Sequence, residues 1–217
     1  MLLCLENIYP HIKSEQVLRM ADHYYTENPH SKMNKNEWTY DFEGKTFRFI
    51  SSTGVFSKER IDFGSRTLID AFELPQVSGG VLDLGCGYGP IGLLLASKFS
   101  ERHFTMVDVN ERAIELAKEN ARNNEVDNVT ILKSDGLQNV NHEKYAAILT
   151  NPPIRRGKKV IYELFKQSKS ALEEDGELWV VIQKKQGAPS AIKFLETLFN
   201  RVEVVQKKKG YYIMVAK

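Results

Sequence analysis

The sequence predicts an α/β fold built on a seven-stranded, mostly parallel sheet, with helices on both faces and an antiparallel last strand. From Gly79 onward, strand and helix patterns alternate regularly, which is typical of a parallel sheet covered on both faces. A glycine-rich turn at residues 85–89 directly follows the first of these strands. The final two strand patterns flank residues 208–210 (KKG), as in a closing β-hairpin. Together these three observations indicate an open α/β sheet.

The length and composition suit a single α/β domain with a small N-terminal addition. The chain has 217 residues, of which 42% are hydrophobic, and this is enough to bury a sizeable core. We predict a helix and a β-hairpin in residues 1–52, followed by the main domain in residues 53–217. Thirty basic and 28 acidic side chains give a net charge of only +2, so bulk charge does not point to nucleic acid.

The sequence does not resemble that of an exported, membrane or metal-binding protein. The apolar patch at residues 2–5 is cut short by Glu6 and no basic residue precedes it, which is unlike a signal peptide. Charges interrupt every run that approaches the roughly 18 to 20 apolar residues of a membrane span. Cys4 and Cys86 form no CxxC pair, and the five histidines lack the spacing of metal ligands. We expect a soluble cytoplasmic protein with no membrane partner and no metal.

The N-terminal region contains one amphipathic helix pattern and one hairpin pattern. Residues 14–25 place apolar side chains on one helical face. Aromatic residues alternate with polar ones at 38–42 and again at 47–49, on either side of a Glu43-Gly44 turn. These patterns predict a short helix followed by two antiparallel strands.

The main domain shows strand and helix patterns in alternation. The strands are short apolar runs at residues 81–84, 104–109, 129–132, 145–149, 178–182, 202–205 and 211–215. Apolar residues recur at helical spacing at residues 91–99, 111–123, 161–172 and 191–199. In the third helix the predicted apolar stripe runs from Ile161 to Leu172. This order predicts a parallel sheet that ends in an antiparallel strand.

The glycine-rich turn indicates a ligand site at the edge of the sheet. Residues 83–89 (DLGCGYG) span a strand end and a helix start, where glycines let the backbone approach a ligand and the helix offers amide groups. Asp83 at the strand end can receive an ammonium group or a bound water. A dinucleotide site instead has GxGxxG facing a pyrophosphate, which Asp83 would repel. Cys86 fills the loop as a small residue.

Two further acids follow the next strands. Asp108 lies 25 residues after Asp83, at the end of the second strand, where a carboxylate accepts hydrogen bonds from ribose hydroxyls. The alternative is an N-cap of the next helix, a role that Asn110 can share. Asp135 follows the third strand and is placed to meet the exocyclic amine of adenine. The alternative there is an ordinary turn aspartate beside Gly136.

The strongest chemical signal is the tetrapeptide Asn151-Pro152-Pro153-Ile154, directly after the fourth strand. In an open α/β sheet this edge faces the ligand crevice. The two prolines remove amide donors and stiffen the turn, which leaves the Asn151 amide oxygen and the Pro152 carbonyl as fixed acceptors. Such acceptors can bind both protons of a planar NH2 group and stabilise the positive charge that develops as it receives a methyl group. The alternative is a proline-rich loop that merely ends a strand.

With these motifs the sequence resembles the class I S-adenosylmethionine-dependent methyltransferases, which combine a D-x-G-x-G-x-G loop with an N-P-P-aromatic motif. It is most similar to the ribosomal small-subunit methyltransferase C group, whose members methylate guanine N2 in 16S ribosomal RNA. Residues 54–57 (GVFS), 61–65 (IDFGS) and 176–178 (GEL) extend the resemblance over residues 53–217. Ile154 departs from the family's aromatic, so stacking on a flipped base is weaker or comes from elsewhere, such as Phe56. Longer members also carry an extra N-terminal domain that this chain is too short to contain.

The resemblance implies a Rossmann-like methyltransferase fold with S-adenosylmethionine as cofactor. It implies that Asn151 binds the target amine, with Pro152, Pro153 and Ile154 completing the catalytic tetrapeptide, and that Phe56 helps to shape the pocket. The predicted cofactor-binding residues are Phe56, Asp83, Gly85, Cys86, Gly87, Gly89, Asp108, Val109, Asn110, Asp135, Gly136 and Asn151.

Basic residues beside the tetrapeptide favour an RNA partner. The run at 155–159 (RRGKK) follows it at once, and further lysines occur at 184–185 and 207–209, near or beyond later strand ends. Such clusters bind phosphates, although a lysine run is often only a solvated surface. The predicted partner is ribosomal RNA or the small ribosomal subunit. The predicted RNA-binding residues are Arg155, Arg156, Lys158, Lys159, Lys184 and Lys185.

Two other functions stay open at this point. A protein glutamine-amide methyltransferase would use the same acceptors, since an amide NH2 is also planar, but the basic residues beside Asn151 weigh against it. A non-catalytic ribosome-assembly factor could retain the pocket as a relic, and intact Asp83, Asp108 and Asn151 argue against that. An RNA amine methyltransferase is therefore favoured.

Overall fold

The computed structural model describes residues 35–52, which form a β-hairpin, and residues 60–217, which form an α/β layer structure. Four features predicted or discussed from the sequence lie outside the described residues. They are Cys4, the helix at 14–25, the motif at 54–57 and the predicted pocket residue Phe56.

The hairpin consists of β1 (Lys35–Phe42) and β2 (Lys45–Ser52), which pair antiparallel. Its turn is Glu43-Gly44, as predicted, with φ angles of 49° and 77°. Both turn residues are thus left-handed, the conformation that suits a two-residue hairpin loop. Trp38 pairs with Phe49 across the two strands, and their ring centroids stack 5.0 Å apart.

Seven strands form the main sheet. They are β3 (Gly80–Leu84), β4 (Phe104–Asp108), β5 (Val129–Lys133), β6 (Tyr145–Thr150), β7 (Leu172–Gln183), β8 (Val202–Lys208) and β9 (Tyr211–Ala216). Their spatial order is β5-β4-β3-β6-β7-β9-β8, with β3 to β7 parallel and β9 antiparallel to both of its neighbours. The predicted fold class is therefore confirmed. The strand order reverses between β3 and β6, and an open α/β sheet binds its ligand at such a switch point.

Within residues 35–52 and 60–217, five helices cover the sheet. They are α1 (Phe63–Ala71), α2 (Pro90–Lys98), α3 (Glu111–Asn123), α4 (Lys158–Ala171) and α5 (Ala188–Leu195). The buried apolar residues form one cluster on each face of the main sheet. Helices α1, α2 and α3 pack with the hairpin on one face, and α4 and α5 pack on the other. Within the described ranges, no helix is both long and apolar enough to cross a membrane.

Helix α1 was not predicted from the sequence. It begins because Asp62 caps it, accepting hydrogen bonds at Oδ1 from the backbone amides of Gly64 (2.9 Å) and Ser65 (3.1 Å). The helix then buries Leu68 and Ile69 against the sheet. Gly64 and Ser65 near its start interrupt the helical pattern of apolar residues, so only the cap residue Asp62 indicated a helix start.

Asparagine side chains join the hairpin to the main domain. The buried Asn120 of α3 accepts from the Ile50 amide (2.7 Å) and donates to the Ile50 carbonyl (2.9 Å). It also donates to the carbonyl of Tyr88 in the glycine-rich turn (2.9 Å). Asn124, one turn later, makes the equivalent pair with the backbone of Arg48. The side-chain amides of Asn120 and Asn124 thus form hydrogen bonds with the backbone of the edge strand β2, as a neighbouring strand would. These bonds anchor the hairpin next to the glycine-rich turn.

The predicted ends of two helices are wrong. The last helix, predicted over residues 191–199, is α5 and ends at Leu195, so Leu198 and Phe199 lie beyond it. The third predicted helix also ends earlier than expected. Leu172 was assigned to the apolar stripe of the third helix, but α4 ends at Ala171 and Leu172 is extended, with φ −76° and ψ 145°. It pairs with Tyr145 as the first residue of β7, and the register then shifts before Ala147 meets Glu177. Leu172 is buried in either conformation, so its hydrophobicity alone could not distinguish a helical position from a strand position.

Candidate active site

A cavity opens at the carboxyl edge of the parallel strands, around the switch point between β3 and β6. Because parallel strands end at the same edge, it brings together segments that are far apart in sequence. The predicted site residues that line it are Gly85, Cys86, Gly87, Asp108, Val109, Asn110, Asp135, Gly136, Asn151, Pro152, Pro153 and Arg156.

The glycine-rich turn forms the floor of this cavity. Gly85 and Gly87 have φ angles of 81° and 58°, and a Cβ at either position would meet no atom within 4 Å, so their backbone faces open space. The amide of Gly87 donates to Asp108 Oδ2 over 2.9 Å. Cys86 is buried in the turn, and burial raises the pKa of its thiol well above the ordinary value. The thiol therefore stays protonated and acts as a small apolar wall.

The sequence left two roles open for Asp108, which were binding of ribose hydroxyls and capping of the next helix. Asn110 takes the capping role. Asn110 caps α3, since its side chain accepts from the backbone amides of Arg112 (3.0 Å) and Ala113 (3.4 Å). Asp108 instead lines the cavity and accepts from the Asn110 amide at Oδ1 over 2.9 Å. Burial raises the pKa of Asp108, while the surrounding amides and the positive charge of Arg156 oppose that rise. The helix cap is thus Asn110, and Asp108 remains a candidate ligand residue.

Asp83 lies behind the glycine-rich turn. It is fully buried, and its Oδ2 accepts a hydrogen bond of 2.8 Å from the Gly92 amide in the first turn of α2. Burial raises the pKa of this carboxyl to about 7. Oδ1 has no hydrogen-bond partner among the residues that the structure describes. Asp83 does not form part of the cavity wall, so its position supports the turn and α2 rather than the direct ligand contact expected from the sequence.

Gly89 also lies behind the wall, at the N-cap of α2. Its amide donates to the Cys86 carbonyl over 3.0 Å and closes the glycine-rich turn. A Cβ at this position would lie 2.9 Å from Leu93 Cδ1, so a larger residue cannot fit without a shift. Like Asp83, Gly89 positions the turn.

Asp135 and Gly136 form another part of the wall, after β5. The Gln167 side chain of α4 lies against this turn, and its Oε1 accepts from the Leu137 amide over 3.1 Å. A Cβ on Gly136 would lie only 2.4 Å from that oxygen. The turn is therefore packed against α4, and the Asp135 side chain is held at the cavity.

Asn151 is anchored by α1. Its side-chain Nδ2 lies 3.0 Å from Ser65 Oγ and 3.3 and 3.4 Å from the two carboxylate oxygens of Asp62. A carboxylate only accepts hydrogen bonds, so the NH2 group of Asn151 has to face Asp62. The carboxamide oxygen then lies on the other side of the planar group, where it can accept a hydrogen bond from a ligand.

The residues after Asn151 form a tight turn. Pro152 and Pro153 line the cavity, and the Pro153 carbonyl accepts from the Arg156 amide over 2.9 Å. Ile154 turns away from the cavity wall and packs against the apolar cluster beneath α4. Arg156 turns back and lines the cavity near Asp108, whereas the sequence did not distinguish Arg156 from Arg155.

The other predicted RNA-binding residues lie outside the cavity and are exposed. Arg155, Lys158 and Lys159 lie around the start of α4, beside the tetrapeptide. Lys184 and Lys185 form a single helical turn after β7, and the Lys184 amide donates to the Gly210 carbonyl over 2.7 Å. The two basic groups thus lie on different parts of the same sheet edge.

Several cavity residues were missed as site residues in the sequence, and the polar ones among them are Asp62, Ser65, Tyr88 and Ser134. Asp62 and Ser65 belong to the IDFGS motif, which was recognised only as part of the resemblance. An aspartate shortly before an apolar run is a helix N-cap signal, and Asp62 could have predicted the start of α1. Tyr88 is almost fully buried, and its hydroxyl has no hydrogen-bond partner in the described part of the chain. Burial and the negative charge of Asp62 both raise its pKa.

Comparison with known proteins decides the family. Residues 46–215 match the family described as "Methyltransferase small domain". The chain belongs to this methyltransferase family. The match begins inside β2 and extends to β9, so it includes the glycine-rich turn, Asp108 and the Asn-Pro-Pro motif.

The chain aligns with nearly the full length of one relative and with about half the length of another. The "Uncharacterized protein YbxB" of Bacillus subtilis (strain 168) is 59% identical over 91% of the chain and 99% of its own length. A "Ribosomal RNA small subunit methyltransferase C" from Actinobacillus pleuropneumoniae is 30% identical over 82% of the chain. The chain spans 56% of that protein.

A solved structure shows the same fold. The "16S rRNA N2 G1207 methyltransferase" of T. thermophilus, in complex with AdoMet and guanosine, aligns with a TM-score of 0.75. It is 21% identical and covers 88% of this chain and 52% of its own. The chain therefore spans about half the length of the ribosomal RNA methyltransferases that it resembles.

The methyltransferase uses S-adenosylmethionine, as the sequence predicted. The cavity fits this cofactor, which carries a positively charged sulfonium and ammonium and a flat adenosine. Asp108 and Asp135 supply acceptors and negative charge, Ile91 and Leu164 supply apolar wall, and the bare backbone of the glycine-rich turn leaves room for close approach.

Proposed function

We propose that this chain methylates the exocyclic N2 amine of guanine in small-subunit ribosomal RNA. The observation that carries the proposal is the orientation of Asn151. Its NH2 group is held by Asp62 and Ser65 on α1, which leaves its oxygen as an acceptor at the cavity. An acceptor held in this way is what a planar amine needs, whereas a carboxylate or imidazole base at that position would suit a different reaction.

Two fixed acceptors orient the amine. The Asn151 oxygen and the Pro152 carbonyl each accept one N–H of the target, which directs the nitrogen lone pair into the cavity. The bound cofactor supplies an electrophilic methyl group on its sulfonium. As the nitrogen becomes positively charged, the same two oxygens stabilise that charge, and the extra proton leaves to solvent. This chemistry requires no side chain with a shifted pKa.

Guanine in ribosomal RNA is supported by the relatives and by the surrounding charge. The 30% identical relative is named for the small-subunit RNA, and the structural neighbour carries N2 in its title and guanosine in its complex. Arg155, Lys158 and Lys159 are exposed directly beside the tetrapeptide, where RNA phosphates would approach the cavity. Such a substrate implies that the chain acts in the cytoplasm.

Transfer of a labelled methyl group to ribosomal RNA tests this function. Purified protein is incubated with methyl-labelled S-adenosylmethionine and with small ribosomal subunits from a strain that lacks the gene. The RNA is then digested and its nucleosides are separated against methylated standards. We expect label in N2-methylguanosine with the wild type and at least about 100-fold slower labelling with the Asn151→Ala variant.

Other outcomes identify what has to change in the proposal. Label in N6-methyladenosine or N4-methylcytidine contradicts guanine as the target and keeps the amine chemistry. Label only in protein replaces RNA by a glutamine amide as the substrate. No transfer to either, from a protein that binds the cofactor in calorimetry, contradicts catalysis and supports an assembly factor.

A further inference from the structure

We propose that a group of cations around Phe63 binds the sugar-phosphate backbone of a single-stranded RNA segment that flanks the methylated nucleotide. We call this surface the Phe63 patch, and its members are Phe63, Arg66, Lys208, Lys209 and Tyr211. The inference rests on the proposed function, because RNA is the substrate there. None of these five residues is among the six predicted RNA-binding residues, although Lys208 and Lys209 belong to the lysine run at 207–209 that was noted in the sequence.

Three cations converge on one aromatic ring. Measured to the centroid of the Phe63 ring, the Nζ atom of Lys209 lies at 5.0 Å and that of Lys208 at 6.0 Å. The guanidinium carbon of Arg66 lies at 5.7 Å from the same centroid. Attraction between cations and the ring face gathers these side chains in one place, although they come from α1 and from the β8–β9 hairpin.

The patch has more positive than negative charge. Lys208 Nζ lies 3.9 Å from Asp70 Oδ2, and both side chains are about half exposed (50% and 51%). The nearby Asp62 is already engaged by Asn151 and by the amides at the start of α1. Arg66 Nε is buried and has no hydrogen-bond partner in residues 35–52 and 60–217. Like charges gathered at this spacing repel each other, so an anion that binds among them is favoured.

The patch is next to the active site. Phe63 follows Asp62, whose carboxylate lies 3.3 Å from Asn151 Nδ2. The Tyr211 ring packs on the start of α1, with its centroid 5.7 Å from that of Phe63. A Cβ on Gly64 would lie 2.9 Å from Tyr211 Cε1, which shows how closely the hairpin approaches the helix.

The patch also continues toward Lys184 and Lys185. The Lys184 amide donates to the carbonyl of Gly210, in the turn that carries Lys209. Basic side chains therefore extend from the neighbourhood of Asn151, over Phe63, to the end of β7. They lie on the side of Asn151 that faces α1 and the β8–β9 hairpin, and the run at 155–159 provides a second basic segment after the tetrapeptide.

A single-stranded RNA segment matches this surface. Its phosphates are the anions that exposed lysines and an arginine fork bind, and an aromatic ring among cations is typical of grooves that follow a single strand. The target base has to leave any helix before its amine can reach Asn151, so the nucleotides next to it are unpaired as well. The Phe63 patch is placed to hold their backbone.

Salt-dependent RNA binding tests the patch. The probe is a fluorescein-labelled single-stranded RNA of mixed sequence and about 12 nucleotides, titrated by anisotropy at several salt concentrations. In the Lys208→Gln/Lys209→Gln variant we expect weaker binding and a log-log salt slope reduced by about 1.4, from about 0.7 for each lost phosphate contact on a single strand.

Lys169→Gln is the matched control. The Lys169 Nζ lies 4.7 Å from the Phe199 ring centroid, so it is also an exposed lysine over an aromatic ring. It lies in the last turn of α4, which leads away from the carboxyl edge of β6 toward the start of β7. We expect this variant to keep the wild-type slope. Calorimetry should give the wild-type affinity for S-adenosylmethionine in both variants.

The results separate this inference from the proposed function. If the wild type methylates RNA but the double variant keeps its salt slope, the patch inference is overturned and the proposed function stands. An equal loss of slope in Lys169→Gln also overturns the inference, since the effect would then be one of net charge. If the slope falls only in the double variant while the wild type methylates no RNA, the patch is supported as an RNA-binding surface, and the proposed function is overturned together with the flanking role that rests on it.

Discussion

The side-chain amide of Asn151 donates a hydrogen bond of 3.0 Å to the hydroxyl oxygen of Ser65, although 86 residues separate the two in the chain. Ser65 lies in the first turn of α1, and the cap residue of that helix, Asp62, holds the same amide group. The orientation of Asn151, the residue that we propose binds the target amine, is therefore set by a helix outside the glycine-rich turn and the Asn-Pro-Pro motif.

Replacing Ser65 with Ala should lower kcat for RNA methylation by on the order of 10-fold, since about 1 to 1.5 kcal/mol of hydrogen-bond energy no longer orients Asn151. The KM for S-adenosylmethionine should change little. Thr67→Ala is the control, because the Thr67 hydroxyl bonds within the same helix, to the Phe63 carbonyl at 2.7 Å. Steady-state kinetics of both variants make the comparison. Equal losses of kcat would mean that only the integrity of α1 matters.

Asp108→Asn should weaken S-adenosylmethionine binding by about 1.5 to 3 kcal/mol, the value of hydrogen bonds to a charged group, which is roughly 10- to 150-fold in Kd. The variant keeps one acceptor for the amides of Gly87 and Asn110 but loses the charge. Calorimetry measures the change. Asp127→Asn, an exposed aspartate outside the cavity wall, is the control for net charge and should keep the wild-type Kd. Equal Kd values for all three proteins would remove Asp108 from the cofactor site.

The sequence predicted the sheet and the cavity well because both depend on local patterns. Regular strand and helix alternation gave the seven strands and the antiparallel β9, and the ends of parallel strands necessarily meet at one edge. The wall residues Gly85, Asp108, Asp135 and Asn151 were predicted from their positions at those strand ends together with the family resemblance.

What the sequence did not predict depends on contacts between distant segments. Nothing local to Asn151 indicates that Asp62 and Ser65 hold its amide, because that contact forms only when α1 packs on the sheet, against β7 and β9. Asp83 was expected at the ligand, yet its side chain points behind the turn to Gly92, and a strand pattern does not give the side on which its last residue is buried. Arg155 and Arg156 look alike in sequence, but the turn at Ile154–Arg156 directs only Arg156 to the cavity.

Single substitutions should separate the two arginines. Arg156→Gln removes the positive charge that lowers the pKa of Asp108, so that pKa should rise and cofactor binding should weaken most at the acidic end of the pH range. Arg155→Gln should leave cofactor affinity unchanged and reduce the salt slope of RNA binding by about 0.7 to 0.9, the value of one phosphate contact. Calorimetry at several pH values and salt titrations test the two effects. If both variants behave alike in both measurements, Arg156 has no separate role at the cavity.

Asp83→Asn should change how stability depends on pH. In the folded chain burial raises the pKa of Asp83 from 3.8 to about 7, so between those values the folded state holds a proton that the unfolded state has lost. The contribution of this group to the unfolding free energy is fully present below the unfolded-state pKa of 3.8. It decreases as the pH rises and is lost once the pH has passed the folded-state pKa of about 7. From pH 5 to pH 8 the wild type should lose about 2 to 3 kcal/mol more unfolding free energy than the variant, at about 1.36 kcal/mol per pKa unit. Urea unfolding without cofactor at both pH values measures this, and parallel losses in the two proteins would show that Asp83 does not titrate in this range.

Asn151→Ala offers the most direct test of the amine-binding site. Single-turnover methyl transfer to small ribosomal subunits is measured at saturating S-adenosylmethionine, and cofactor affinity is measured by calorimetry on the same preparations. Because the Asn151 oxygen should act on the target amine and its developing charge, the rate should fall by about 10²- to 10³-fold, while the cofactor Kd changes little. A variant that turns over within a factor of a few of the wild type would contradict the account, since the amine would then be held and stabilised without Asn151.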